Sequence, residues 1–302
     1  SFAGVVRRCA GVNRVVTCEL RKWRKAIFTK ATQQAWQAFK MDLQQTQYDA
    51  VIDLQGLTKS AVIARLAKLS QTGKRYAMAN RSDGSSYEAP TRWLADVAIP
   101  VKAHSHALQR GRDVCAAALG YDLTSFVQKF ISFGLVSGIN IAYSAINNIA
   151  YPNSPFVIFA HGTSRDDKLW PVTNWVALGK KLNAQGLAVA LAHGSDSEQA
   201  RSEAIAKDLD KATVLPRLGL EDLLNVMGAS AGVVGVDSGL SHMAVALDLP
   251  HVQIYNFDTA WRTGPVAADK LQSARQVSVF AQPTPSLDDV WLAWSQVFAA
   301  EK

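Results

Sequence analysis

The second half of the chain alternates short apolar runs with amphipathic segments, and this alternation constrains the fold more than any other feature. The apolar runs have the length and composition of strands and lie at residues 156–160, 187–191, 213–215, 232–236 and 251–255. Between them, apolar residues recur at helical spacing, as at Trp175, Leu178 and Leu182. Strands and helices that alternate with short connections predict a parallel sheet covered by helices on both faces.

Length and composition fit two globular domains. The chain has 302 residues, of which 48% are hydrophobic and 19% charged, which excludes a disordered or collagen-like protein. The cluster Pro152-Asn153-Ser154-Pro155 predicts the boundary, so that a first domain spans 1–150 and a second spans 151–285. The three cysteines contain no CxxC pair, which argues against a disulfide framework or a zinc site.

Charge is divided unevenly between the two halves. Residues 1–150 contain 20 Lys and Arg against 9 Asp and Glu, a net +11, whereas residues 151–302 contain 12 against 16, a net −4. This excess predicts an anionic partner for the first half: nucleic acid, an anionic membrane or an anionic substrate. The densest cluster is RKWRK at residues 21–25, which is either a solvated helix face or an anion site with one tryptophan among cations. No RNA-recognition, helix-turn-helix or zinc-finger pattern is present in the sequence.

No charged residue lies between Lys129 and Arg165. Residues 130–151 approach the length of a transmembrane helix, but Asn140, Asn147 and Asn148 interrupt the apolar run. A buried strand followed by an interdomain connection is the preferred interpretation.

Polar residues follow the strands of the second half, where ligands bind to parallel sheets. Asp237-Ser238-Gly239 leads into a predicted helix whose free N–H groups suit a phosphate. The hydroxyls of Thr163 and Ser164, together with the cation Lys168, complete a predicted diphosphate cradle. From spacing alone, Asp237 is equally a helix cap or a ligand. Other residues after these strands have non-functional interpretations. Glu198 is equally a favourable charge in the first turn of a helix. The histidines at 161, 193 and 251 are expected to be packed or exposed and not catalytic.

Four segments together resemble the lipopolysaccharide heptosyltransferases of glycosyltransferase family 9, over nearly the whole chain. They are RKWRK at 21–25, YDAVIDLQGLTKS at 48–60, HGTSRDDKLWP at 161–171 and VDSGLSH at 236–242. The resemblance implies an α/β protein of the GT-B fold, in which two Rossmann-like domains face each other across a cleft. It also implies that a C-terminal helix in 286–302 crosses back to the first domain.

The resemblance assigns roles to individual residues. The implied donor site comprises Thr163, Ser164 and Lys168 at the diphosphate, Asp237 at the donor sugar, Ser238, Gly239 and His242 at the phosphate-facing helix start, Glu198 at the ribose and Leu218 at adenine. The implied acceptor site comprises Arg21, Lys22, Arg24, Lys25, Gln55 and Lys59. Because the implied acceptor carries carboxylates and phosphates, these cations account for the charge excess of the first half.

The sequence departs from the family pattern at its beginning. Family members open with a strand and a Gly-Asp loop whose aspartate is the catalytic base, and Ser1-Phe2-Ala3 aligns just past that loop. Asp49 and Asp53 lie near the expected domain face, but neither matches the position of the base. We therefore expect that the intact protein begins upstream of Ser1, that the first domain is incomplete here, and that full activity requires the base of the upstream segment.

The implied activity is transfer, with inversion, of L-glycero-D-manno-heptose from ADP-heptose to the first Kdo of Kdo2-lipid A. No metal or other cofactor is expected, and the implied location is the cytoplasmic face of the inner membrane of a Gram-negative bacterium. Three alternatives stay open: heptosyltransferase II or another sugar transferase of the family, a nucleotide-sugar epimerase, and a non-catalytic nucleotide-binding remnant. A nucleic-acid binder would leave the pattern of the second half unexplained.

Overall fold

The computed structural model describes residues 2–123, 132–136, 152, 154–266 and 275–299. The chain divides into two compact units, a smaller one formed by residues 14–128 and a larger one formed by residues 1–13 and 129–302. Residues 1–13 thus belong to the larger unit, whereas the predicted boundary at 150 placed them in the first domain. The smaller unit contains 17 basic and 9 acidic residues, so it holds the positive charge predicted for the first half.

The smaller unit contains a three-stranded parallel sheet with the order β1-β2-β3. Its strands are β1 (Gln47–Asp53), β2 (Lys68–Met78) and β3 (Val97–Ile99). After α1 (Ala3–Arg7), which precedes this unit, its helices are α2 (Leu20–Trp23), α3 (Lys30–Leu43), α4 (Thr58–Leu66), α5 (Pro90–Leu94) and α6 (Ala107–Leu119). Met78, Ile99, Val101 and Val114 form its buried core.

The larger unit contains a six-stranded parallel sheet with the order β6-β5-β4-β7-β8-β9. Its strands are β4 (Phe156–Ala160), β5 (Ala188–Leu191), β6 (Ala212–Val214), β7 (Gly232–Val236), β8 (His251–Tyr255) and β9 (Gln276–Phe280). Its helices are α7 (Val172–Ala184), α8 (Asp196–Ala206), α9 (Leu220–Gly228), α10 (Gly239–Ala246), α11 (Ala260–Thr263) and α12 (Leu287–Ala299). The predicted alternation and the parallel sheet are confirmed.

Alternate residues of the central strand β4 enter two different cores. Val157 and Phe159 pack with side chains of α7, α8 and α12, such as Trp175 and Trp294. Phe156, Ile158 and Ala160 pack with side chains of α9 and α10. All five residues of β4 are buried, as expected of a parallel strand with helices on both faces.

Both ends of the chain pack onto the larger unit. Val5 of α1 packs against the core beside α9, and Arg8 Nη1 donates a hydrogen bond of 2.5 Å to Asn225 Oδ1. These contacts explain why residues 1–13 group with the larger unit. The C-terminal helix α12 packs against α7, β8 and β9 and buries Trp294, while the crossing to the first domain stays a prediction.

Within the part of the chain that the structure describes, no helix is both long and apolar enough to cross a membrane. The predicted buried strand and connection at 130–151 lie outside the described residues, apart from 132–136.

Candidate functional site

The order of strands in the larger sheet indicates the edge at which a ligand would bind. The sheet is built outward in one direction from β4 through β5 to β6, and in the other direction from β7 through β8 to β9. Ligands of such sheets bind beyond the carboxyl ends of the two strands at which the direction changes. Here these are β4 and β7, and the loops that follow them contain the predicted diphosphate residues.

Asp237 is the centre of a charged cluster at this edge. Its Oδ2 lies 2.5 Å from Lys168 Nζ, and its Oδ1 lies 3.7 Å from His242 Nε2. Thr163 Oγ1 donates a hydrogen bond of 3.1 Å to the Asp237 carbonyl oxygen. The Asp237 side chain is 10% exposed and that of Lys168 20%, so water screens this ion pair only in part. Burial lowers the pKa of His242 despite the neighbouring carboxylate.

The two interpretations of Asp237 can now be separated. The N-cap residue of α10 is Ser238, not Asp237, and the Asp237 carboxylate binds Lys168 instead of capping the helix. The cap interpretation is therefore wrong, and the Asp237 carboxylate lies paired with Lys168 directly after β7.

The start of α10 supplies hydrogen-bond donors beside this cluster. The first N–H groups of a helix have no partner within the helix. Ser238 makes no side-chain cap bond, and its shielded Oγ has no hydrogen-bond partner among the described residues. Ser241 Oγ donates 2.6 Å to the Val236 carbonyl, and a Cβ on Gly235 would lie 2.4 Å from that hydroxyl, so glycine permits this close helix–strand packing. The arrangement suits an anion.

Lys168 projects from a single turn of 3-10 helix, Asp166–Lys168. Trp170, which follows it, is fully buried and packs edge-on against Trp175 with ring centroids 5.0 Å apart. On the exposed side of the 3-10 turn, Arg165 donates a hydrogen bond to Asp167 and holds the pKa of that carboxyl below its usual range. Ser164 lies exposed in the same loop.

Glu198 lies at the carboxyl end of the neighbouring strand β5, in the first turn of α8. Its Oε2 accepts a hydrogen bond of 2.7 Å from Gly194 N–H, and its own N–H donates 3.3 Å to the capping Ser195 Oγ. Its Oε1 lies over Gly162, where an added Cβ would be 2.5 Å away. Glu198 thus holds a favourable position in a first helical turn and also reaches the loop after β4.

Leu218 lies in the loop between β6 and α9, where it is partly buried against the core. Thr163, Lys168, Asp237, Ser238, Gly239 and His242 therefore come together after β4 and β7, and Glu198 contacts the loop that contains Thr163.

Two of the three histidines at strand ends are structural. His161 is buried with Nε2 2.8 Å from Ser202 Oγ, and His251 is buried with Nδ1 2.9 Å from the Val233 carbonyl. Burial lowers the pKa of each to about 4, so both are neutral near pH 7. The packed interpretation is confirmed for His161 and His251.

The predicted acceptor cations lie on the smaller unit. Arg21, Lys22, Arg24 and Lys25 are exposed around α2, and Lys22 Nζ lies 3.4 Å from Glu19 Oε2. Trp23 between them is 8% exposed and packs against Trp36 and Phe39 of α3. The tryptophan is therefore a core residue that fixes this basic turn, and only the cations face solvent.

The loop after β1 presents Gln55 and Lys59. Asp53 is buried and organises this loop, because its carboxylate accepts hydrogen bonds from Gln55 N–H (2.9 Å), Gly56 N–H (3.3 Å) and Ser60 Oγ (2.9 Å). Gly56 has a φ of +70°, which glycine adopts without strain. Gln55 and Lys59 are exposed as a result. The Asp49 carboxylate accepts 2.6 Å from Ser70 Oγ, and neither aspartate is assigned as a base.

One residue at the site escaped sequence-based reasoning. Asn256 hydrogen-bonds the backbone on both sides of Lys168. The sequence does mark this residue, because Asn256 is a polar residue directly after the apolar run that forms β8. Among the described residues, no group of three or more His, Cys, Asp or Glu is arranged to hold a metal ion.

Comparison with known proteins identifies the family of this chain. The family model described as Glycosyltransferase family 9 (heptosyltransferase) matches residues 36–288. Lipopolysaccharide heptosyltransferase 1 of Salmonella typhimurium is 34% identical over 255 residues, which cover 84% of this chain and 75% of that protein. The corresponding protein of Pseudomonas aeruginosa is 33% identical over 260 residues, covering 84% of this chain and 67% of that protein.

Solved structures show the same likeness. The structure of E. coli heptosyltransferase WaaC with ADP superimposes with a TM-score of 0.77 at 29% identity, covering 96% of this chain and 83% of that one. E. coli ADP-heptose lps heptosyltransferase II shares the fold, with a TM-score of 0.73 at 18% identity over 99% of this chain and 87% of that one. The predicted α/β GT-B class is confirmed, and the chain belongs to glycosyltransferase family 9, the heptosyltransferases.

Proposed function

We propose that this protein transfers L-glycero-D-manno-heptose from ADP-heptose to the first Kdo of Kdo2-lipid A, in the assembly of the lipopolysaccharide core. The observation that carries the proposal is the cluster of Lys168, Asp237 and Thr163 beside the start of α10. Support comes from the curated relatives, which are named lipopolysaccharide heptosyltransferase 1, and from WaaC, which was solved with ADP.

ADP-heptose is proposed to bind at the carboxyl edge of the larger sheet. Its diphosphate lies over the start of α10 at Ser238 and Gly239, and Lys168 turns from Asp237 to the phosphates. Thr163 and Ser164 add hydroxyl donors at the same place. Glu198 Oε1 accepts from the ribose, and adenine packs on Leu218. A nucleotide diphosphate fits this edge because cations and helix N–H groups stabilise bound phosphate.

The reaction is proposed as a direct displacement at the anomeric carbon. The acceptor hydroxyl forms the new C–O bond while the bond from that carbon to the diphosphate oxygen breaks on the opposite face. ADP departs with the electron pair, and a general base accepts the proton of the acceptor hydroxyl. Lys168 and the N–H groups of α10 stabilise the charge that develops on the leaving ADP, so the proposal requires no metal ion or other cofactor. Asp237 orients the heptose.

The acceptor is proposed to be recognised by the smaller unit. Kdo carries a carboxylate and lipid A carries phosphates, and the exposed cations of residues 21–25 match those charges. Gln55 and Lys59, held outward by the loop that Asp53 organises, are proposed to contact the sugar region of the acceptor.

The same basic turn is proposed to face the anionic cytoplasmic surface of the inner membrane. Phe28 is 89% exposed and Ile27 51%, and both follow the exposed cations of residues 21–25. Cations attract anionic headgroups, and exposed apolar side chains enter the interfacial region of a bilayer. This contact would bring the enzyme to a lipid acceptor.

A transfer assay tests the proposal. The chain is incubated with ADP-heptose and Kdo2-lipid A, and the lipid is examined by mass spectrometry for addition of one heptose. Addition to Kdo2-lipid A supports the proposal, whereas addition only to an acceptor that already carries heptose indicates heptosyltransferase II activity. Consumption of ADP-heptose without acceptor indicates an epimerase. Binding of ADP without any transfer indicates a nucleotide-binding remnant.

A further inference from the structure

A buried amide holds the turn that carries Lys168. Asn256 is 8% exposed and follows β8 directly. Its Nδ2 donates two hydrogen bonds of 3.0 Å, one to the Asp167 carbonyl and one to the Leu169 carbonyl. These carbonyls lie immediately before and after Lys168, so one side chain fixes the backbone on both sides of the lysine.

The chemistry of the neighbours fixes the orientation of this amide. Because carbonyl oxygens only accept hydrogen bonds, the NH2 group of Asn256 must face them. Its Oδ1 then accepts 2.7 Å from Thr284 Oγ1. The adjacent Pro285 carbonyl accepts 2.8 Å from the buried Trp170 Nε1, so residues 284–285 brace the lysine turn at a second point.

We infer that Asn256 is a positioning residue that holds Lys168 at the diphosphate site, an inference that rests on the proposed function. A lysine side chain is a flexible point charge, so its affinity for phosphate depends on where its backbone is held. Hydrogen bonds to Asp167 and Leu169 keep the turn in place before the ligand binds. Because the turn is already ordered, the ligand does not have to offset the entropic cost of ordering it, and binding is tighter as a result.

The inference separates ligands that carry a diphosphate from those that do not. In the Asn256→Ala variant we expect ADP affinity to fall by about 5- to 30-fold, the equivalent of one or two hydrogen bonds. Adenosine lacks phosphates, so its affinity should stay within roughly two-fold of the parent value. Both affinities are measured by calorimetry on the full chain.

A double-mutant cycle with Lys168 tests whether Asn256 acts through the lysine. In a Lys168→Ala background, Asn256→Ala should change ADP affinity by less than about two-fold, because the charge it positions is absent. Thr284→Val, which removes only the donor to Asn256 Oδ1, should give a smaller loss in the same direction. This variant also keeps the test open if Asn256→Ala does not fold.

The chain offers a matched control in Asn183. Its Nδ2 also joins two backbone carbonyls, those of Leu187 (2.9 Å) and Lys211 (3.1 Å), and its Oδ1 accepts 3.0 Å from Lys211 N–H. These residues precede β5 and β6, at the edge of the sheet opposite the site. Asn183→Ala should leave ADP affinity unchanged even if it lowers stability.

Four results would overturn the inference. One is an equal loss of ADP and adenosine affinity in Asn256→Ala, and another is full additivity with Lys168→Ala. The third is unchanged ADP affinity in Asn256→Ala while Lys168→Ala weakens it, which would refute this inference and leave the proposed function intact. If Lys168→Ala itself left ADP affinity unchanged, the diphosphate site would be refuted together with the inference.

Discussion

Asp237 stands where the proposed diphosphate must approach, and removing its charge should have opposite effects on two measurements. In the structure Asp237 Oδ2 lies 2.5 Å from Lys168 Nζ. The carboxylate therefore already forms an ion pair with the cation that is proposed to bind the phosphates. Asp237→Asn keeps the shape of the side chain and removes the charge. We expect ADP to bind more tightly to this variant, whereas heptose transfer should fall by at least about ten-fold because a sugar contact made in the transition state is weakened.

The size of the gain follows from the geometry. A phosphate that contacts Lys168 would lie about 5–6 Å from the Asp237 carboxylate, where two unit charges repel by about 3 kcal/mol at an effective dielectric constant of 20. Lys168 is 20% exposed, so solvent and salt reduce this repulsion. We expect a net gain of about 1 kcal/mol in ADP binding, or roughly five-fold in affinity.

Calorimetric titration with ADP at low and high salt measures the gain, and mass spectrometry of the lipid measures transfer. Asp288→Asn is the matched control, since Asp288 is an exposed carboxylate in the first turn of α12 and the substitution changes the net charge equally. Weaker ADP binding in Asp237→Asn than in the parent chain would refute the competition between the carboxylate and the diphosphate. An equal gain in Asp288→Asn would show that only net charge matters.

Three further outcomes are expected. Glu198→Gln should weaken adenosine binding by about 1–2 kcal/mol and leave adenine binding unchanged, because only adenosine carries the ribose. Titrations with both compounds measure this, and equal losses of adenosine and adenine affinity would contradict the ribose contact. Replacing the four cations of residues 21–25 by Gln should raise KM for Kdo2-lipid A by at least about ten-fold without altering ADP affinity. Steady-state kinetics measures KM and calorimetry measures ADP affinity. An equal weakening of acceptor use and of ADP binding would contradict the assignment of these cations to the acceptor. Burial lowers the pKa of His251 to about 4, whereas in the unfolded chain this histidine titrates near its ordinary value of 6.5. The unfolded state therefore binds more protons between pH 4 and pH 6.5. As a result, the free energy of unfolding falls as the pH drops from 6.5 to 4. In urea unfolding, His251→Asn should remove up to about 3 kcal/mol of this pH dependence, and an unchanged slope would contradict the assignment.

Strands and their carboxyl ends could be predicted from sequence because their signals are local. The apolar runs at 232–236 and 251–255 coincide with β7 and β8, and the polar segments after β4 and β7 lie together as predicted. Parallel packing brings the carboxyl ends of such strands to one edge, so Lys168 and Asp237 could be placed at the same site although 69 residues separate them. That they form an ion pair depends on side-chain conformations, which no local pattern encodes.

Other features depend on contacts between distant segments. Asn256 is 89 residues from Asp167, and its amide gains a role only once the loops after β4, β8 and β9 meet. Asp53 could be noted as a carboxylate near the expected face, but its role in shaping the loop before α4 follows from a glycine turn and three hydrogen bonds. Residues 1–13 group with the larger unit in part through Arg8, whose side chain hydrogen-bonds Asn225, 217 residues away.

Titration of ADP into the parent chain and the Lys168→Ala variant tests the central claim most directly, because the claim is that the edge between β4 and β7 holds a nucleotide diphosphate. The account predicts saturable ADP binding to the parent chain. It also predicts a loss of about 1.5–3 kcal/mol in the variant, or roughly 10- to 150-fold in affinity, the size of one charge-assisted contact. Equal ADP affinity in the two proteins would contradict the diphosphate site and the function proposed from it.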